Sequence, residues 1–484
     1  MITDIDKLKN NKEVLWSILF IEIGLIFLIS LLLMSIPLRS KLIISLIYII
    51  GAYIFLFKTA RKFNSNINVW TLMLIISIFF FYGQHILAVF YPSYFKLQDF
   101  HILDGRIEDK YIIIATFFIM FCLLLINIGM HLDFKAINYD VKPSVSNIQD
   151  KGLKIAGWIF LAISIYPTIK YLMASYSLTN LYGYLGRRTL ESSDNYYSIL
   201  GVSLLQIYIS GLFLPSIYAL IISYRDKKIT KLFYGLLAVY AIMYYLTGSR
   251  YEILQIIVSV VLLRDCLDLN KSQKVNYAKI VILSAIVIVF MSMGTFIRSV
   301  GVEKFNYSNL AEQMDIGGFL WEPGITFTTV SNILKTCPSK VDFFYGKSYL
   351  GAILLCLPEF LRFGFFDKYS LHIAGTFSKY YYHTDAFGYG SSFIAEGYYN
   401  LGYFSLLAMV IFGLIIKNLI KIMDSVKISN RKDLLLLLVV VSNNLIFGVR
   451  NDLSSIPRII LFNVLPILFV AFVIGYLLDR KELK

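Results

Sequence analysis

VLWSILFIEIGLIFLISLLLMSI, residues 14–36, is a run of 23 residues interrupted by one ionisable side chain, Glu22. At 1.5 Å per residue, about 20 apolar residues carry a helix across the roughly 30 Å hydrocarbon core of a bilayer. The charged start MITDIDKLKNNKE precedes the run, and no small-residue cleavage site follows it. The run is too long for a signal-peptide core and reads as a first spanning helix.

Similar runs recur to the far end of the chain. Spans are expected near 14–36, 42–57, 70–91, 111–130, 153–173, 199–222, 232–246, 251–263, 280–297, 393–416, 434–449 and 459–478. The expected fold is therefore all-α: a polytopic transmembrane bundle of about 12 helices, with 1–484 forming one transmembrane domain. Composition agrees. Of 484 residues 58% are hydrophobic and 16% charged, against about 25% charged in soluble domains, and the mean hydropathy is +0.69.

The net charge of +14 raises the question of nucleic acid. Its placement answers it, because Lys and Arg cluster between apolar runs rather than on one folded basic face. No nucleic-acid partner is expected. With the N-terminus inside, the short inner segments hold 26 Lys and Arg, and the short outer ones hold 11. That bias orients both termini toward the cytoplasm, as the positive-inside rule requires.

The four cysteines, at 122, 266, 337 and 356, form no CxxC pair and no His/Cys cluster. A zinc site is not expected, nor any other cofactor. Cys337 and Cys356 share one outer loop, where an oxidising compartment would permit a pair.

That loop, 298–392, lies between the ninth and tenth spans on the extracytoplasmic side. It carries 20 aromatic residues in 95, among them Trp321, the FFY at 343–345 and the YYYH at 380–383, with eight acidic and eight basic residues. Such a mixture suits a carbohydrate, whose C–H faces stack on rings while its hydroxyls find polar partners. It equally suits a membrane interface, where Tyr and Trp accumulate. Within the loop, Tyr349–Phe366 reads as an in-plane or re-entrant helix, because its apolar stretch ends at Pro358 after nine residues.

Three further features bear on chemistry. The hairpin YYLTGSRYEIL, 244–254, joins two short spans and sets Arg250 at its tip. A guanidinium there needs an anion, either a phosphate gripped in a fork or a neighbouring carboxylate such as Glu252. Arg187, Arg188, Arg298, Arg362, Arg450 and Arg458 gather on the same outer side, by snorkelling or around an anionic headgroup. Finally, GYGSSFIAEGYYNLGYFSLL, 388–407, sets Glu396 at a membrane edge, as a functional carboxylate or an interfacial one paired with arginine.

The GSR hairpin tip, the long aromatic loop and the pattern Gly390, Ser392, Glu396, Asn400, Gly402 together resemble the oligosaccharide repeat-unit polymerases, the Wzy family of O-antigen and capsule polymerases. The resemblance implies an inner-membrane glycosyltransferase that joins undecaprenyl-pyrophosphate-linked oligosaccharides on the periplasmic face. Membrane lipids are then partners, and a chain-length regulator protein is a further one that the resemblance admits. Arg250 and Arg298 would stabilise the pyrophosphate leaving group without a metal. The acceptor hydroxyl needs a base or an orienting acceptor, for which Glu396, Glu322, His383 and Asp385 are available. Trp321, Arg187, Arg188, Arg362, Arg450 and Asn400 complete the expected substrate contacts.

Two other readings fit the architecture. An O-antigen ligase would share the fold. A lipid-linked-oligosaccharide flippase should carry charge deep in several helices, whereas this chain keeps nearly all of its charge at span ends.

Overall fold

A computed structural model describes residues 11–63, 68–92, 101–102, 105–132, 147–191, 201–224, 227–267, 292–294, 316–357, 373, 390–429, 431–453 and 455–482. Among these, ten helical segments are long and apolar enough to cross a membrane. They coincide with ten of the twelve runs read from the sequence. Of the other two, 251–263 lies in an 18-residue helix, Arg250–Leu267, that carries four charged side chains. The run 280–297 falls almost wholly outside the described residues. The only strand pairing among them is a two-residue antiparallel ladder, His101–Ile102 with Gly105–Arg106.

The chain divides into two compact units. The first comprises residues 1–138, 320–422 and 445–455, and the second 139–319, 423–444 and 456–484.

The first unit begins with α1 (Lys12–Leu33), α2 (Leu38–Ala60), α3 (Val69–Phe90) and α4 (Asp109–His131). It continues through most of α10 (Ile316–Thr336), α11 (Lys347–Leu354), α12 (Phe393–Leu401) and α13 (Ser405–Ser429). Helix α4 is almost completely buried, whereas α1 shows Leu15, Trp16 and Leu33 to the surroundings and buries Ser17 and Gly24. This inversion suits lipid, which solvates leucine and leaves small and polar groups to make the helix contacts. Asn127 of α4 donates to Ser17 Oγ at 3.0 Å and accepts from Thr59 Oγ1 at 2.9 Å, so one amide ties α1, α4 and α2 together. Where α4 crosses α13, Gly129 lies against the Val410 carbonyl and Gly413 against the Ile126 carbonyl, so close that neither position has room for a Cβ.

The second unit is built on α5 (Asn147–Glu191), which Gly183 breaks at φ 70°. Alongside it stand α6 (Leu204–Ser210), α7 (Phe213–Ser223), α8 (Lys227–Leu246) and α9 (Arg250–Leu267). The later chain adds most of α14 (Lys432–Ile446), α15 (Ser455–Ile459) and α16 (Leu465–Glu482). Helix α5 packs chiefly on α7 and α16. Ion pairs Lys432–Asp150 and Lys427–Asp265 join it and α9 to the segment around 427–432.

Two departures from the sequence reading matter for the site. The loop 298–392 contains α10, a 21-residue helix that its run of Thr, Ser and Asn did not announce. The helix expected over Tyr349–Phe366 is shorter and earlier, Lys347–Leu354, and residues 358–366 lie outside the described set. All four cysteines are free thiols: Cys337 is buried at the end of α10, and Cys356 donates to the Ala352 carbonyl at 3.4 Å.

Candidate functional site

The pattern around Glu396 resolves into a compact node of the first unit. Ser392 caps α12, its hydroxyl accepting the Ala395 N–H at 3.1 Å. Such a cap satisfies one of the four orphan donors at a helix start. Every residue from Phe393 to Asn400 is buried. Glu396 falls in the first turn, where a carboxylate complements the helix dipole, and it is 0% exposed.

The Glu396 carboxylate accepts from two distant segments. Ser348 Oγ of α11 donates to Oε1 at 2.6 Å, and the Leu453 N–H donates to Oε2 at 2.7 Å. Asn400, one turn on, donates from Nδ2 both to Ser348 Oγ at 2.7 Å and to the Glu396 carbonyl at 2.8 Å. Helix α12 is closed at its other end by the FFYG segment. The Phe344 and Tyr345 N–H groups donate to the carbonyls of Tyr399 and Asn400 at 2.8 and 3.1 Å.

Two of the three FFY rings serve this packing. Phe344 stacks on Tyr399 with centroids 4.6 Å apart, and Phe343 meets Tyr398 edge-on at 5.8 Å. Tyr345 is 76% exposed and open to a ligand. Gly402 ends α12 at φ 57°, ψ −137°, with Phe343 Cζ 3.0 Å from where a Cβ would stand.

Arg450 is half-buried beside this node, its guanidinium 5.8 Å from the Phe80 ring. A Cβ on Gly390 would lie 3.7 Å from the Arg450 carbonyl and 3.2 Å from Thr326 Oγ1, and Thr329 donates to the Gly390 carbonyl at 2.7 Å. Thr326 is one turn beyond Glu322 on α10 and Thr329 nearly two, so all three share a helix face. Trp321 and Glu322 are half-buried.

In the second unit, the GSR hairpin turns at Gly248, φ 78°, between α8 and α9. Arg187 holds it from below. Its Nη1 donates to the Thr247 carbonyl at 3.1 Å, with Ser249 Oγ at 3.5 Å from Nη2, and its guanidinium lies 5.0 Å from the Tyr184 ring. Thr179 donates to the same carbonyl at 3.0 Å. At 3% exposure, Arg187 is buried against the hairpin. Arg250 is half-buried at the first residue of α9, and a Cβ on Gly294 would come 2.8 Å from its Cδ.

Arg298, Arg362, His383 and Asp385 lie outside the described residues, as does the side chain of Arg188.

The family model described as O-antigen polysaccharide polymerase Wzy matches residues 16–481. This chain belongs to the Wzy family. No curated protein and no solved structure matches it.

The Wzy assignment makes the chain a multi-pass membrane protein of a polymerase family that acts on glycans. Several residues of this Wzy chain escaped the sequence reading. Ser348 and Leu453, the partners of Glu396, have no local signature. Gln84 and His85 did have one: two polar residues inside the 22-residue apolar helix α3. Gln84 accepts from Thr328 of α10 at 2.8 Å. His85 shares a hydrogen bond with Thr116 at 2.7 Å and meets Phe327 edge-on at 4.4 Å.

Proposed function

We propose that this chain joins undecaprenyl-pyrophosphate-linked oligosaccharide repeat units into O-antigen or capsular polysaccharide at the periplasmic face of the inner membrane. The observation that carries the reading is the Wzy match over residues 16–481. Both termini face the cytoplasm, consistent with the bias of basic residues, and 1–484 acts as one transmembrane domain with 298–392 outside.

In the reaction, a hydroxyl at the non-reducing end of a new unit attacks the anomeric carbon of the growing chain. The bond from that carbon to the carrier pyrophosphate breaks, the hydroxyl proton passes to water, and the pyrophosphate leaves as an anion. Arg250 and Arg298 stabilise that charge in a low-dielectric setting without a metal ion. Arg250 opens α9 at the tip of the GSR hairpin, one of the three features that carry the family resemblance. Arg188, Arg362 and Arg450 steer the anionic lipid, while Trp321, Glu322, His383 and Asp385 bind the sugars. Glu396 acts by positioning, because its two oxygens are engaged by Ser348 and Leu453 and it is sealed from solvent. A chain-length regulator is the expected protein partner.

Deleting the gene in its host and displaying the surface polysaccharide on a gel tests the reading. Loss of a polymerase leaves single repeat units on the lipid anchor, whereas loss of a ligase or flippase leaves none. A normal ladder from both Arg250→Ala and Arg298→Ala would remove the arginines from the mechanism.

A further inference from the structure

A cavity of about 1630 Å³ opens within the second unit, larger than the roughly 300–1,000 Å³ of ordinary small-molecule pockets. Its walls are apolar, formed by Leu237 and Ala241 of α8 and by Ile256 and Val260 of α9. Along α8 it runs from Thr230 to Ile242. That span is about 18 Å at 1.5 Å per residue, a little over half of the roughly 30 Å hydrocarbon core. Ile242 is 54% exposed, so the wall opens sideways to lipid. The cleft thus has the length of one leaflet.

Its chemistry changes sharply at one end. Lys231, Arg264, Lys427, Arg431 and Lys432 all line it there, and the Lys154 ammonium sits 4.0 Å over the ring of Tyr224, another lining residue. Among the described residues, four carboxylates pair with three of these cations. Lys427 pairs with Asp265 and Asp424 at 2.6 and 3.6 Å, Arg431 with Asp433 at 2.7 Å, and Lys432 with Asp150. The pairs fix the rim without exhausting it. Arg431 gives Nε and Nη2 to Asp433, and its Nη1 donors remain. Lys231 has no ion pair with any described residue. Two ends of opposite character, apolar and cationic, describe the negative image of an anionic amphiphile.

We propose that this cleft binds an anionic membrane phospholipid, an acyl chain lying between α8 and α9 and the headgroup phosphate held by Lys231, Arg264 and Arg431. Under the orientation proposed above the rim faces the cytoplasmic leaflet, and in either orientation it lies at an interface. A phospholipid is favoured over a polyprenyl carrier by length, because an undecaprenyl chain is far longer than the cleft. Bound there, the lipid braces the α8–α9 hairpin against the segment around 427–432.

The full-length protein, delipidated in mild detergent, is reconstituted with equal phosphatidylglycerol and phosphatidylcholine. The lipid retained after re-extraction is then counted by native mass spectrometry. The wild type should retain phosphatidylglycerol over phosphatidylcholine by about tenfold, and Lys231→Gln/Arg264→Gln should return the ratio to that of the bulk. Ala241→Trp, which keeps the charges and fills the cleft, should lose the retained lipid. Retention at the bulk ratio by the wild type overturns the proposal without any variant needing to fold. Unchanged selectivity in either variant overturns it too, as does undecaprenyl phosphate displacing phospholipid from an equimolar mixture.

Discussion

Ser348 donates its hydroxyl to Glu396 at 2.6 Å across 48 residues of sequence, and the same oxygen receives Asn400 at 2.7 Å. One hydroxyl, acting as donor and acceptor at once, thereby ties α11 to two successive turns of α12. The carboxylate it binds has no exposed surface.

Removing the carboxylate leaves the Leu453 N–H and the Ser348 hydroxyl buried without their acceptor. Glu396→Ala should cost about 3 kcal/mol, whereas Glu396→Gln keeps an acceptor for Leu453 and should cost about 1 kcal/mol. Thermal unfolding in detergent, beside the polysaccharide ladder, separates the two. If alanine and glutamine prove equally damaging in activity while both remain stable, the charge itself takes part in the reaction.

The two ends of α12 fail differently. Ser392→Ala removes a cap and should cost about 1 kcal/mol. Gly402→Ala forces a side chain into a backbone region open to glycine and presses it on Phe343, for about 2–3 kcal/mol. Ranking the two by unfolding midpoint checks this order.

These residues show where sequence was informative and where it was not. Ten apolar runs became helices at the expected places because length and hydropathy are local properties. The pattern from Gly390 to Gly402 marked a real node, yet its partners Ser348 and Leu453 stand 48 and 57 residues from Glu396, and no local signal points to them. Helix α10 was hidden for a similar reason. Its GITFTTVSN stretch has weak helix propensity, and Pro323 stands immediately before it. Packing on α3 stabilises it, with Gly324 against Gln84 and Gln84 bonded to Thr328.

Arg187 should behave as a structural cation. Arg187→Lys has one donor centre where the guanidinium spans Thr247 and Ser249, and should loosen the hairpin without abolishing it. Arg187→Gln should do so more strongly. Protease nicking or thiol labelling at a cysteine placed at Tyr251 reads the loosening. An unchanged hairpin in Arg187→Gln, together with a lost ladder, would move Arg187 to the substrate.

At the crossing of α4 and α13, Gly129→Ala and Gly413→Ala should each cost at least about 2 kcal/mol, because the added methyl meets a backbone carbonyl that cannot swing away. Combined, they should cost less than their sum, since one separation of the helices relieves both. Unfolding midpoints of the two single variants and the double one provide the check.

Burial pushes the Cys337 thiol up to about 11. At pH 8 only about one thiol in a thousand is then the reactive thiolate, and labelling should quicken as pH rises. A membrane-impermeant maleimide applied outside should therefore mark Cys356, which is half-buried, and leave Cys337 for the unfolded chain. Labelling of Cys356 only from the cytoplasmic side would reverse the orientation.

The bond between Ser348 and Glu396 joins positions 48 residues apart in the chain. A single cut between those positions would therefore leave α11 and α12 clasped, and the two fragments should migrate as one particle until the fold itself is opened.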